Sequence, residues 1–156
     1  YNPKILYGKN YGYRSGLNPT MVLHLKNKFN MLTTKFKINK QDLILDIGSN
    51  DGTFLNFFAR KRKDLSLFGM DPSSDKFAVY YNKRINLIPD YFSKKKLDIY
   101  LNKINFKKKF NLVTSFAMFY DIEDPNSFTK DIFNLLDKNG IWILYVLQMV
   151  LKNYCF

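Results

Sequence analysis

A single cysteine, Cys155, stands near the end of the 156-residue chain. The chain therefore cannot build an internal disulfide framework or a cysteine-based metal cluster, and a reducing, cytoplasmic setting is expected. Histidine is just as scarce. His24 is the only one, and it falls where a helix is predicted, so it reads as a surface or packing residue rather than a ligand. No metal site is expected. Glycine (7) and proline (5) are few, and neither a repeat nor a Gly/Ser linker divides the sequence, so one domain is expected. The longest apolar run, residues 141–147, is far short of the roughly 20 residues of a membrane span. No signal peptide opens the chain, and no membrane partner is expected. The first residue is Tyr1 rather than Met, which reads as a fragment or a processed form.

Acidic residues are the other shortage: 13, against 25 Lys and Arg, for a net charge of +12. Such an excess attracts polyanions such as nucleic acid or a nucleotide diphosphate. It is also what a solvated, lysine-rich surface looks like. The runs at 61–63, 94–96 and 107–109 are dispersed and fall where connections are predicted, and none interleaves Arg with aromatics as a single-strand-binding stripe would. A nucleic-acid partner is therefore disfavoured. What the chain does have is apolar mass: 46% hydrophobic residues, with 15 Phe and 11 Tyr, enough for a packed core.

The first sixteen residues lack apolar periodicity and read as an irregular lead-in, set apart over 1–18 from the domain that follows. Asn18-Pro19 is a helix-start signal, with Asn as N-cap and Pro in the first turn. Met21, Val22, Leu25, Phe29 and Leu32 then recur at helical spacing, predicting a helix over 19–35. Short apolar strands follow at 43–47, 65–70, 86–88, 110–115 and 141–146. Between them lie predicted helices at 52–62, 74–83, 98–105 and 125–137, the last stopped by Asn139-Gly140. Strict alternation of strand and helix implies an α/β domain over 19–156 with a parallel sheet covered on both faces. Ligands in such sheets bind at the carboxyl ends of the strands, beside the switch in strand order.

The residues just after each strand carry the chemistry. The first strand ends in Asp46-Ile47-Gly48-Ser49-Asn50-Asp51-Gly52, a D-x-G-x-x-x-G turn into a helix. Gly48 allows a tight turn and close approach of a ligand, and Gly52 lets the helix pack near the strand. A dinucleotide loop would read G-x-G-x-x-G and cradle a pyrophosphate, which Asp46 and Asp51 would repel. Carboxylates here suit a cationic ligand, an amino acid bearing a sulfonium: S-adenosylmethionine. The second strand ends at Asp71, spaced behind the loop as a ribose-binding acid would be. After the third strand, Asp90 reads either as an acceptor for the adenine amino group or as a cap, and Tyr91 and Phe92 either as ring contacts or as core. Ser115 and Phe116, at the end of the fourth strand, should line the pocket near the methionine part of the cofactor.

Taken together, Tyr11-Gly12-Tyr13-Arg14-Ser15-Gly16, the Asp46–Gly52 turn, Gly69-Met70-Asp71-Pro72-Ser73, Asp90-Tyr91-Phe92-Ser93 and the segment from Thr114 to Pro125 resemble the deoxysugar C-methyltransferases, which act on nucleotide-linked keto-sugars. The resemblance implies a class I methyltransferase fold, Rossmann-like, using S-adenosylmethionine. It implies that Asp46, Gly48, Ser49, Asn50 and Gly52 shape the cofactor loop and that Asp71 and Pro72 meet the ribose. Asp90 and Tyr91 would meet the adenine, and Ser115, Phe116 and Ala117 would sit near the methyl donor. Tyr11, Tyr13 and Arg14 would belong to a segment folded over the cofactor. A small-molecule partner, a nucleotide-linked sugar, is implied. Members of that family carry an N-terminal zinc domain and, after the fifth strand, a glutamate-bearing segment, a His-Glu-His motif and a C-terminal domain. None of these is in the sequence, so cofactor binding with weak or absent turnover is expected, the catalytic base is unassigned, and self-association through the apolar segment 141–151 is an open alternative. So are a nucleic-acid methyltransferase and a non-catalytic, partner-dependent module.

Overall fold

The computed structural model describes residues 11–145. Among the described residues the first elements are a single 3-10 turn, Ser15–Leu17, and α1, Pro19–Lys35. Asn18 caps α1 as its sequence suggests: its side-chain oxygen accepts from the backbone N–H of Thr20 (3.0 Å) and Met21 (3.2 Å). Then follow β1 (Leu43–Ile47), α2 (Thr53–Lys61), β2 (Ser66–Met70), a 3-10 turn at Ala78–Tyr80 and β3 (Ile85–Ile88). The rest is α3 (Lys94–Lys103), β4 (Phe110–Phe116), a 3-10 turn at Phe119–Asp121, α4 (Pro125–Leu135) and β5 (Leu136–Tyr145).

The five strands form one sheet in the order β3-β2-β1-β4-β5, with every pairing parallel. The chain leaves β1 toward β2 and β3 and then returns to β4 on β1's other side. The switch point therefore lies at the carboxyl ends of β1 and β4. Alternate residues of each strand feed two cores. Ile44, Leu67 and Leu112 pack with Leu25, Phe29 and Leu32 of α1 and Phe54, Leu55 and Phe58 of α2. Leu43, Leu45, Ile47, Phe68 and Val113 pack with Leu97 and Leu101 of α3 and Phe128, Ile132 and Leu135 of α4 on the opposite face. Among the described residues, no helix is long and apolar enough to cross a membrane.

Three expected elements are corrected. The helix expected over 74–83 is a run of turns ending in one 3-10 turn. Ser74 donates to the Asp71 carbonyl through both its amide (3.1 Å) and its hydroxyl (2.8 Å), closing a local turn. Val79 (84% exposed) and Tyr80 (46%) then leave no apolar stripe for a helix to bury. The helix expected over 98–105 begins earlier, at Lys94, because Ser93 caps it by accepting from Lys96 N–H. The helix expected to run to 137 stops at Leu135, where pairing with β4 takes over. Residues 137–140 bulge out between the pairs Leu136–Phe110 and Ile141–Leu112. Gly140 is needed there, since a Cβ would stand 2.7 Å from the Phe110 carbonyl oxygen. The expected association segment 141–151 lies largely outside the described residues, and so do residues 1–10 of the expected lead-in.

Candidate functional site

Two adjoining cavities open at the carboxyl ends of β1, β2 and β4. The larger is about 320 Å³ and is lined by Tyr11, Tyr13, Ser15, Asp46, Gly48, Ser49, Asn50, Asp71, Phe116 and Ala117, with Met21, Leu25, Thr53, Phe54, Met118 and Tyr120. The smaller, about 130 Å³ and more apolar, is lined by Ile47, Met70, Pro72, Tyr91, Phe92, Asp121 and Ile122. Tyr11, Gly48, Asp71 and Met118 border both, so the two read as one elongated crevice. Its size is that of a small-molecule site.

The loop after β1 is held in a conformation few sequences tolerate. Gly48 (φ +77°), Asn50 (φ +49°) and Gly52 (φ +74°) all lie in the left-handed region, and Ala117 (φ +53°) faces them from the end of β4. Left-handed backbone at non-glycine residues costs energy and gathers at functional sites. Three carboxylates surround this loop, each set differently. Asp46 is buried on β1 and accepts from the Thr114 hydroxyl at 2.6 Å. Burial pushes its carboxyl up to about 7, opposed by the Thr114 hydrogen bond and reinforced by the negative charge of Asp71. Asp51 is spent on structure. It accepts from the Thr53 amide (3.1 Å) and hydroxyl (2.6 Å) where α2 begins, and from Gly16 N–H at 2.9 Å. Asp71 accepts from the amide (2.7 Å) and hydroxyl (2.6 Å) of Ser73 on Oδ1, and from Asn50 N–H (3.0 Å) on Oδ2. A carboxylate offers about four acceptor positions, so one, on Oδ2, remains for a ligand hydroxyl.

The segment before α1 is tied to the same loop. Asn50 Oδ1 accepts from Ser15 N–H (2.8 Å), Asn50 Nδ2 donates to the Tyr13 carbonyl (3.0 Å), and Lys76 Nζ donates to the Tyr11 carbonyl (3.1 Å). Tyr11 and Tyr13 are thereby placed on the crevice wall.

Four candidate residues line neither cavity. Arg14 sits beside Asp51 (Nε to Oδ2, 3.3 Å) and stacks its guanidinium over the Tyr80 ring at 3.7 Å, so it anchors the N-terminal segment instead. Gly52 is buried, and a Cβ there would come within 2.5 Å of the Tyr81 ring. The missing side chain makes room for the Tyr81 ring. Asp90 pairs with Lys96 and accepts from Tyr91 N–H, at the outer side of α3. Ser115 is fully buried and accepts from the Trp142 indole N–H at 2.9 Å. His24 packs its ring 5.1 Å from that of Tyr145, a packing residue as its isolation suggested. Thr114, Ser73 and Tyr81, to which the sequence alone attaches no role, hold Asp46, Asp71 and the Asn50 carbonyl in place. The glycines at 52 and 69 were the available signal for Tyr81, since both are emptied of side chain where its ring lies.

A model of the methyltransferase-domain family matches residues 24–153. The chain belongs to that family. It is 27% identical over 147 residues to the ubiquinone biosynthesis O-methyltransferase of Pelagibacter ubique, covering 89% of this chain and 57% of that protein. It is 31% identical over 121 residues to the tRNA U34 carboxymethyltransferase of a Sulfurovum species, covering 75% and 38%. The methyltransferase domain thus spans little more than half, or less, of these relatives. Among solved structures, the plantazolicin methyltransferase BpumL, bound to a desmethyl plantazolicin analogue and S-adenosylhomocysteine, aligns with a TM-score of 0.60 at 20% identity, over 81% of this chain and 47% of its own. A methyltransferase complexed with the Haloferax volcanii Trm112 activator aligns at 0.56 with 16% identity, over 81% and 56%. The fold is that of the S-adenosylmethionine-dependent methyltransferases.

Proposed function

We propose that the crevice at the switch point holds S-adenosylmethionine and that the domain is the methyl-donor half of a small-molecule C-methyltransferase acting on a nucleotide-linked keto-sugar. The observation that carries the cofactor assignment is the pair of acids facing the loop. Asp71 keeps one acceptor position for a ribose hydroxyl, and Asp46 is a buried carboxyl on the same wall. The donor set suits a ligand that is cationic at one end and hydroxylated in the middle, and it would repel a pyrophosphate. The apolar smaller cavity, with Pro72, Tyr91 and Phe92 on its wall, suits a flat ring.

When bound, the cofactor supplies an electrophilic methyl group on a sulfonium. The residues of this chain contribute orientation and exclusion of water. Tyr11 and Tyr13 cover the crevice, and Phe116, braced edge-on against Phe54 at 4.9 Å, walls its far side. Such alignment of donor and acceptor accounts for much of the rate in group transfer. The base that a carbon acceptor requires is assigned to no described residue. The sugar acceptor rests on the resemblance of the Tyr11–Gly16, Asp46–Gly52 and Thr114–Pro125 segments to the deoxysugar C-methyltransferases.

Isothermal calorimetry with S-adenosylmethionine and S-adenosylhomocysteine tests the cofactor site: one-to-one binding of both is expected, and binding of neither overturns the assignment. Incubating the protein with a nucleotide-linked keto-sugar and methyl-labelled cofactor tests the acceptor: label is expected on a sugar carbon, and no label on the sugar counts against it.

A second reading is nucleic-acid methylation, favoured by the tRNA-modifying relative and the net charge. Counting against it, two of the three lysine runs, 61–63 and 107–109, precede β2 and β4 and so sit at the edge of the sheet opposite the crevice.

A further inference from the structure

The residue that ties the strained loop together is one the ligand would never touch. Tyr81 lies 8% exposed behind the loop, on the side away from the crevice. Its hydroxyl donates to the Asn50 carbonyl at 2.7 Å. A phenol has one proton, and a carbonyl can only accept, so the second contact, Ser49 Oγ at 2.8 Å, must be a bond that Ser49 donates to the Tyr81 oxygen. The ring itself fills the space left by two missing side chains: a Cβ on Gly52 would meet it at 2.5 Å and one on Gly69 at 3.2 Å.

Tyr81 is in turn fixed from both flanks by one side chain of α2. Asn56 donates to the Tyr80 carbonyl at 2.9 Å and accepts from Asn82 N–H at 2.8 Å. Burial and the neighbouring carboxylates raise the phenol's pKa, so the hydroxyl stays a donor across the physiological range. Asn50, held on its carbonyl side by Tyr81, gives its N–H to Asp71 on the other. The chain Asn56, Tyr81, Asn50, Asp71 thus runs from the body of α2 to the carboxylate that keeps an acceptor position for a ligand hydroxyl.

Resting on the cofactor assignment above, we propose that Tyr81 is a positioning residue for cofactor binding: its hydroxyl holds the left-handed Asn50 peptide in register and, through the Asn50 amide, fixes the Asp71 carboxylate toward the ribose. Without that hydroxyl the loop samples other conformations in the free protein. Affinity then falls by the fraction of time the competent conformation is lost.

The test is Tyr81→Phe, which keeps the ring under Gly52 and Gly69 and deletes only the hydroxyl. Affinity for S-adenosylhomocysteine is measured by calorimetry well below the unfolding midpoint and should fall about five- to twenty-fold, the scale of one buried hydrogen bond left unmade. The same substitution is then made on an Asp71→Asn background, with binding followed by NMR titration into the millimolar range. There it should cost less than about two-fold, because the group it positions is already altered. A purely structural role would give the same loss on both backgrounds, and that result overturns the proposal, as does native affinity in Tyr81→Phe. Should Tyr81→Phe not fold, Asn56→Ala, which loosens both flanks of Tyr81 from outside the crevice, decides: a loss of about two- to three-fold supports the positioning chain and native affinity overturns it. A native chain that binds neither ligand overturns the cofactor assignment instead, a distinct outcome.

Discussion

The two edges of the sheet put their buried and bonded charges to opposite uses. At the carboxyl edge, Asp46, Asp51 and Asp71 converge, all buried, around a loop of left-handed residues. At the amino edge, the fixed charges are arginines. Arg84 donates to the carbonyls of Ala59 (2.7 Å) and Lys63 (2.6 Å) at the end of α2, and Arg62 bridges Asp64 to the Ile38 and Asn39 carbonyls. Each sign matches the helix end it faces: acids lie near the exposed amides of α2's first turn and cations near the carbonyls of its last. The amino edge also has a cavity, about 220 Å³, lined by Phe36, Lys37, Asn39, Asp42, Asn111 and Asp137. Volume therefore does not separate the edges. What separates them is that Asp46 and Asp71 retain unspent bonding capacity beside a strained loop, while Arg62 and Arg84 are consumed by backbone carbonyls and by Asp64.

The widest expected contrast is in pH. Asp46, raised to about 7 in the fold from about 3.9 unfolded, binds its proton more tightly when folded. Stability is therefore highest below about pH 4 as far as this group is concerned, and its contribution is lost as pH rises toward 7, by about 4 kcal/mol in all. Asp46→Asn should flatten that part of the stability curve measured by urea unfolding between pH 4 and 8. Ligand binding should run the other way. The ionised carboxyl attracts a sulfonium, so the preference for S-adenosylmethionine over S-adenosylhomocysteine, whose sulfur is neutral, should grow from pH 6 to pH 8; a pH-independent preference would break the assignment of Asp46 to the cationic end.

Next comes the loop itself. Gly52→Ala forces a Cβ into the Tyr81 ring in a left-handed residue, which should cost about 3 kcal/mol and lower the unfolding midpoint by about 6–12 °C. Ala at Gly12, where nothing lies within 4 Å, should leave the midpoint unchanged to within about 1 °C. Asp71→Ala follows, at about 30- to 100-fold weaker cofactor binding, the scale of losing a charged hydrogen-bond acceptor; calorimetry reads it directly.

How much of this was open to reading in the chain depended on whether the cause was local. Strands such as 43–47 and 110–116 are apolar runs whose burial on both faces explains their composition. Asn18-Pro19 fixes a helix start within two residues. The segment 74–83 misleads because its conformation answers to distant partners: Asn56, 26 residues away from Asn82, and the loop under which Tyr81 is delivered. The same split runs through the site. Gly48, Asp46 and Asp71 sit in a recognisable spacing, and the structure gathers them on one crevice. Thr114 and Tyr81 act on them across 68 and 31 residues of chain, with no spacing rule to betray them. Arg14, Gly52 and Ser115 stand in recognisable segments too, but their partners in the fold are Asp51, Tyr81 and Trp142, which no spacing announces.

The smallest effect expected is the one that decides between the two acceptor readings. Lys107 and Lys108 are exposed just before β4, on the amino edge, with no carboxylate partner among the described ion pairs. Lys107→Ala with Lys108→Ala should change stability by less than about 0.5 kcal/mol and leave cofactor affinity as it was, because both charges are far screened from the crevice in physiological salt. If the net charge of +12 is only a solvated surface, retention of the chain on tRNA in a gel-shift assay should be weak at 150 mM salt and identical in the double variant. If the amino edge instead carries a polyanion, the log–log salt slope of binding should fall by about two on losing two phosphate contacts. In that case the division between the edges would no longer be one of site against scaffold. The crevice would supply the methyl group, and the lysines would hold the acceptor by its backbone.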